Sequence, residues 1–242
     1  MLNKSVLLNL RIAKSDMSTF LGLCITFLVL LLIGMNSMFF MPTFVVLIAF
    51  VCYIVFYIRI VNKVFFASFF DDEGTMYMTL PIPAKDVVMG KVLAVSGYMT
   101  VIYLLLMVGL YAELILTQGN HYDLLTSLTG DMTLIEGSPV ELAMVFGLFP
   151  VSVFSSSLFN SSFILAIFLK MGMKKQKLLT SWIVYGVVRT VLNSILEQVG
   201  KLFGEMAFGS AIETLLSTAV YLAAAWFFMQ YCIRQLEEKY SV

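Results

Sequence analysis

The chain has 242 residues, of which 60% are hydrophobic and 12% charged, and its net charge is zero. A soluble domain carries about 25% charged residues, so too few polar side chains exist to cover one water-soluble core, and a bilayer is the natural solvent. The zero net charge gives no global field that would favour nucleic acid.

Residues 1–16 place Leu2, Val6, Leu10 and Ala13 at helical spacing, with Lys4 and Arg11 on another face. This suits an interfacial helix in the headgroup layer; a plain basic leader that only sets topology is the other reading. The first long apolar run starts near Met17. It is too long for a signal-peptide core and lacks an A-x-A end, so no cleavable signal is expected. Cys24, Cys52 and Cys232 lie in apolar runs without ligand spacing and read as small hydrophobes.

Charged residues delimit the spans. Between Asp16 and Arg59 none occurs, which leaves room for two helices of about 20 residues each, the second opened by Pro42. The expected fold class is an all-α integral membrane protein, a single transmembrane domain over 1–242. Its spans fall at about 17–35, 43–62, 92–116, 142–169, 178–197 and 214–233. Pro150 is a candidate kink in the fourth. Continuous rather than alternating apolar runs argue against a membrane β-barrel.

Basic residues orient these spans. Lys4, Arg11 and Lys14 precede the first. Arg59, Lys63, Lys85 and Lys91 lie between the second and third, and Lys170, Lys174, Lys175 and Lys177 between the fourth and fifth. Arg234 and Lys239 follow the sixth. All fall on one side of a six-span topology, which places both termini in the cytoplasm of a multi-pass protein of the cell (plasma) membrane; a bacterial source is expected. The opposite loops carry Asp123, Asp131, Glu136, Glu141 and the single histidine, His121.

After the second span comes "VFFASFF", in which Phe65, Phe66, Phe69 and Phe70 share one α-helical face. Then comes "DDEGTMYMT", followed by "LPIPAKDVVMGK" from Leu80 to Lys91. Pro81 and Pro83 suit a helix start. Ala84 to Lys91 would give about two turns, roughly 12 Å, too short to be stable alone in water.

The stretch resembles the cytoplasmic loop of the membrane subunits of type-2 ABC exporters, whose pattern is LP-[IV]-x-[AS]-[RK]-x-x-[IV]-x-GK. The six spans, N-terminal amphipathic helix and cytoplasmic termini are similar to that family as well. Pro83 is less usual in the pattern. The resemblance implies that residues 71–91 form a cytoplasmic coupling loop, its helix docking into a separate ATP-binding subunit. Leu80, Pro81, Pro83, Lys85, Asp86, Val87, Met89, Gly90 and Lys91 would shape that contact. It further implies a homodimer, or pairing with a related permease subunit. ATP and magnesium would be held by the partner, with no cofactor and no metal in this chain.

The residues agree that no ATPase is present here. A phosphate loop needs G-x-x-x-x-G-K-[ST]. Before Gly90-Lys91 the first glycine is replaced by Lys85 and the hydroxyl position is Val92. Before Gly200-Lys201 the corresponding residues are Ile195 and Leu202. One histidine cannot supply HExxH, and no catalytic set is expected.

Arg189 stands inside the fifth span, where a cation costs about 2.5–3.5 kcal/mol on insertion scales. Asn193 and Glu197 follow on roughly the same face. Two readings remain open: a polar stripe lining a translocation path, or a salt bridge to Glu113, Glu141 or Glu213. The fourth span is rich in Ser152, Ser155, Ser156, Ser157, Asn160, Ser161 and Ser162, which suits close helix packing, with substrate contact the other reading. Glu197 to Glu213 reads as a short re-entrant helical hairpin or a plain loop. The leading functional expectation is an ABC exporter permease moving a peptide, drug or lipid-like cargo. An ion-driven carrier or channel, or an intramembrane enzyme, is the alternative.

Overall fold

The computed structural model describes residue 22 and residues 41–67, 83–116, 139–171, 178–201 and 209–240. Among these the chain forms five α-helices: α1 (Met41–Val61), α2 (Ala84–Leu116), α3 (Pro139–Met171), α4 (Leu178–Lys201) and α5 (Gly209–Tyr240). α1 runs directly into a π-helical segment, Asn62–Ala67. Four helices are long and apolar enough to cross a membrane, over Ala84–Met107, Gly147–Met171, Leu179–Leu196 and Ala211–Glu238. The molecule has the form of a multi-pass helical membrane protein. These windows overlap the third to sixth expected spans, and α1 coincides with the second. The interfacial helix at 1–16 and the span at 17–35, Gly22 apart, lie outside the described residues, as do Leu80 and Pro81.

α3 is the hub. It packs along α5 and α2, and α4 leans on it more lightly; α4 and α5 touch each other little. The serine-rich sequence explains the close fit. Ser155, Ser161 and Ser162 are fully buried, and their hydroxyls donate back to their own helix, to the carbonyls of Ser152 (2.8 Å), Ser157 (2.8 Å) and Phe159 (3.0 Å). Their polarity is thus satisfied locally while their small size lets neighbouring backbones approach. Ser96 of α2 donates to the carbonyl of Val92 at 2.7 Å and also reaches the Ser157 carbonyl of α3 at 3.3 Å. The thiol of Cys232, on α5, lies 3.9 Å from the carbonyl of Ser162. Hydroxyl and thiol side chains therefore sit at both seams of α3, where Ser155, Ser157, Ser161 and Ser162 are buried.

Around those seams Ile60, Val64, Phe65, Val88, Val92, Ile164 and Leu165 form a core with no exposed surface. The outward faces remain apolar: Leu179 is 71% exposed, Phe227 66% and Trp226 56%. Such a surface suits hydrocarbon rather than water as its solvent.

Three expectations change in detail. The helix starting at Ala84 does not end after two turns but continues to Leu116, because apolar residues follow Lys91 without any breaker strong enough to stop it. The phenylalanine-rich segment is π-helical over 62–67, so the 3.6-residue face drawn through Phe65 and Phe66 does not apply; Phe69 and Phe70 lie outside the described residues. In the stretch from Glu197 to Glu213, residues 197–201 belong to α4 and residues 209–213 to α5, while residues 202–208, the middle of the expected hairpin or loop, lie outside the described residues. Pro150 sits inside an uninterrupted α3.

Candidate functional site

Two places in the bundle carry polar chemistry. The first is the end where the described basic residues gather. Lys91 to Val64, Ser181 to Met171 (3.2 Å) and Trp182 to Asn62 (3.4 Å) bring the end of α1, the starts of α2 and α4, and the end of α3 together. Arg59, Lys63, Lys85 and Lys170 lie at this end, which the charge asymmetry of the sequence assigns to the cytoplasm.

Here α2 is started by Pro83, whose carbonyl accepts from the backbone N–H groups of Asp86 (2.9 Å) and Val87 (3.2 Å). Asp86 in the first turn complements the helix dipole. Of the residues expected to shape a partner contact, Pro83 and Lys85 are exposed, and Asp86, Val87 and Met89 are half-buried. Gly90 and Lys91 are turned inward. Lys91 has no exposed surface, and its ammonium donates to the Val64 carbonyl of the π-helical segment at 2.9 Å. A buried cation requires such acceptors, because desolvating it otherwise costs several kcal/mol. Lys91 is therefore a tie between α1 and α2. The accessible part of the stretch is its first turn.

The second place is Arg189, about 15 Å along α4 from Leu179 and about 10 Å from Leu196. Its Nη2 donates to the hydroxyl of Ser156 on α3 at 3.0 Å. Its guanidinium carbon lies 5.0 Å from the ring centroid of Tyr221 on α5 and 5.7 Å from that of Phe159 on α3. One arginine thus bridges three helices, through one hydrogen bond and two cation–π contacts. Among the described residues no carboxylate pairs with it, Glu213 included; the side chains of Glu113 and Glu141, the other two partners expected for a salt bridge, lie outside the described part.

Asn193 stands one turn further along α4 and is exposed, yet its side-chain oxygen accepts from the Tyr221 hydroxyl at 3.3 Å. Tyr221 therefore joins Arg189 and Asn193. The backbone of Glu197 continues the same α4 face, and its side chain lies outside the described part. Two buried polar atoms near this level have no hydrogen-bond partner among the described residues: Nη1 of Arg189 and Oδ1 of Asn160. Asn160 is one turn from Ser156 on α3.

Searches for similar proteins return no match among protein-family models, curated proteins or solved structures. Among the described residues no group of histidine, cysteine and carboxylate side chains could hold a metal.

Sequence reasoning missed the aromatic lining of this region. Trp182 meets Tyr57 and Tyr185 edge-on, each at 5.7 Å. Phe163 lies 6.0 Å from Tyr185, and Phe159 lies 5.5 Å from Tyr221. A signal was available. Trp182, Tyr185, Arg189 and Asn193 recur every three or four residues, which is one helical face. The partners on α3 and α5 carried no comparable mark, since Phe159 and Tyr221 are two aromatic residues in a chain with 21 Phe and 11 Tyr.

Proposed function

We propose that this chain is the permease subunit of an ATP-driven exporter of the type-2 ABC class. It would move a peptide, drug or lipid-like cargo out of the cytoplasm by alternating access, with a second permease subunit, and with hydrolysis performed by a separate ATPase. The observation that carries the reading is the stretch "LPIPAKDVVMGK" leading into one continuous helix. Pro83, Lys85 and Asp86 offer a contact at its start, and the same α-helix passes through the membrane-length window Ala84–Met107.

A helix is stiff along its axis, so a displacement at Ala84 is delivered to residues many turns away. The Lys91–Val64 tie makes α1 follow. An ATPase gripping the first turn of α2 would therefore move two helices together, and cargo on the membrane side would in turn bias the grip, since coupling is reciprocal. Arg189 and Asn193 meet Tyr221 at the seam between α4 and α5, two helices that otherwise touch little. Among the described residues they are the ones best placed to contact cargo.

The test is co-purification with the ATPase encoded nearest this chain, for the native protein and for Lys85→Glu combined with Asp86→Lys. Recovery of the ATPase is expected to fall roughly tenfold, equivalent to about 1.4 kcal/mol of binding. Unchanged recovery with a correctly folded variant overturns the docking assignment.

A further inference from the structure

We propose that Arg189 is the anchoring point for an amphiphile that carries a single oxyanion, carboxylate or phosphate, on an apolar chain. A guanidinium has five N–H donors. In the structure one hydrogen bond goes to Ser156, and the rings of Tyr221 and Phe159, whose centroids are 5.5 Å apart, both lie to one side of the guanidinium. Nη1 is buried with no hydrogen-bond partner, and no carboxylate among the described residues neutralises the charge. At this depth an uncompensated cation is expensive. An oxyanion that reached Nη1 would gain a charge-assisted hydrogen bond, of the strong kind, from a donor already held in place.

The surroundings select what carries the oxyanion. α4 and α5 both rest on α3 but make little contact with one another, and Tyr221 and Asn193 span that seam. Asn193 is exposed at the depth of the membrane window, where an amide facing pure hydrocarbon is unfavourable. The neighbouring outward positions are apolar: Val187 and Val191 on α4, Val220 on α5. A polar head at Arg189 would thus continue into an apolar surface that suits a hydrocarbon tail. Asn160, one helical turn from Ser156 on α3, has an Oδ1 with no hydrogen-bond partner among the described residues, an acceptor for a hydroxyl or amide of the head group.

This deepens the exporter reading by giving the class of cargo, but its test uses neither nucleotide nor partner, so it fails or succeeds separately from docking. The chain has two tryptophans. Trp226 is outward-facing, and Trp226→Phe leaves Trp182, which touches Tyr185 one turn from Arg189. In neutral maltoside micelles, fluorescence of Trp182 is titrated with a bromine-tailed dodecanoate, dodecyl phosphate or phosphatidic acid, and with the equivalent bromine-tailed dodecanol.

Saturable quenching by the anionic probes, with half-saturation at least tenfold lower than for the alcohol, is the expected result. Arg189→Gln should remove that tenfold advantage and Arg189→Lys should keep part of it. Preference for the single-chain anions would point to a free amphiphile, preference for phosphatidic acid to a membrane lipid, and either outcome supports the site. Equal half-saturation for alcohol and anions overturns it, as does an advantage that survives in Arg189→Gln. Should Arg189→Gln fail to fold, the comparison of anion with alcohol on the Trp226→Phe protein still decides.

Discussion

α3 and α4 are both long, apolar helices, yet the bundle uses them differently. Of the membrane-length window of α3, 67% is buried against other helices; of that of α4, 6% is. α3 is fixed by broad, small-residue packing against two neighbours. α4 is fixed by a few large or polar side chains: Trp182, Tyr185 and Arg189 reach α3, and Asn193 meets Tyr221 of α5. Interactions of the first kind are many, individually weak and hard to rearrange together. Those of the second kind are few, so changing one changes the seat of the helix. The difference marks α3 as framework and α4 as the helix seated by the fewer contacts of the two.

The most severe test acts on the framework side, where α1 and α2 are tied. Lys91→Glu would set a carboxylate against the Val64 carbonyl inside the bundle, acceptor against acceptor. It should cost about 3–5 kcal/mol, as breaking a buried charged contact does, and appear as a lower midpoint of thermal unfolding in micelles. Lys91→Met, which keeps the stem and removes the charge, should be far milder. Equal stability of Lys91→Glu and the native protein would mean that the lysine is not held inside.

Next in size is a direct comparison of the two helices. Ile164→Ala, in the sealed face of α3, should lose about 2–5 kcal/mol through lost burial and the cavity left behind. Ile183→Ala, at a position 57% exposed on α4, should stay within about 0.5 kcal/mol. Similar losses at the two sites, by denaturant unfolding in the same detergent, would break the contrast.

The smallest effect sharpens it most. A double-mutant cycle with Arg189→Gln and Tyr221→Leu should return a coupling of about 0.5–2 kcal/mol, the range of a cation–π contact from exposed to desolvated sites. Tyr221→Phe keeps the ring and removes only the hydroxyl bond to Asn193, so it should retain most of that coupling. No measurable coupling would show that the Tyr221 ring does not help to seat Arg189.

The membrane character, the helical class and the approximate places of four membrane-length helices were legible in the residues, because long uncharged runs leave the backbone no way to satisfy its hydrogen bonds in lipid except as helix. The start of α2 at Ala84 was legible too, since proline fixes the backbone that enters a helix. The role of Lys91 was not. By sequence it belongs with Lys85 as a basic residue of a polar stretch, and only the rotation of α2 against the π-helical segment turns one outward and the other into the core. Arg189 announced itself as a charge in an apolar run. Its partners did not, because a serine, a phenylalanine and a tyrosine from two other helices have no spacing in common along the chain.

Composition and periodicity thus decide what solvent the chain needs and which faces of its helices can be apolar, since these follow from transfer free energies and local geometry. Which polar atoms meet, and which have no partner among the described residues, depends on how the helices are rotated and stacked around α3. Packing alone decides that, because the small residues that allow close approach leave the larger side chains only certain gaps to fill.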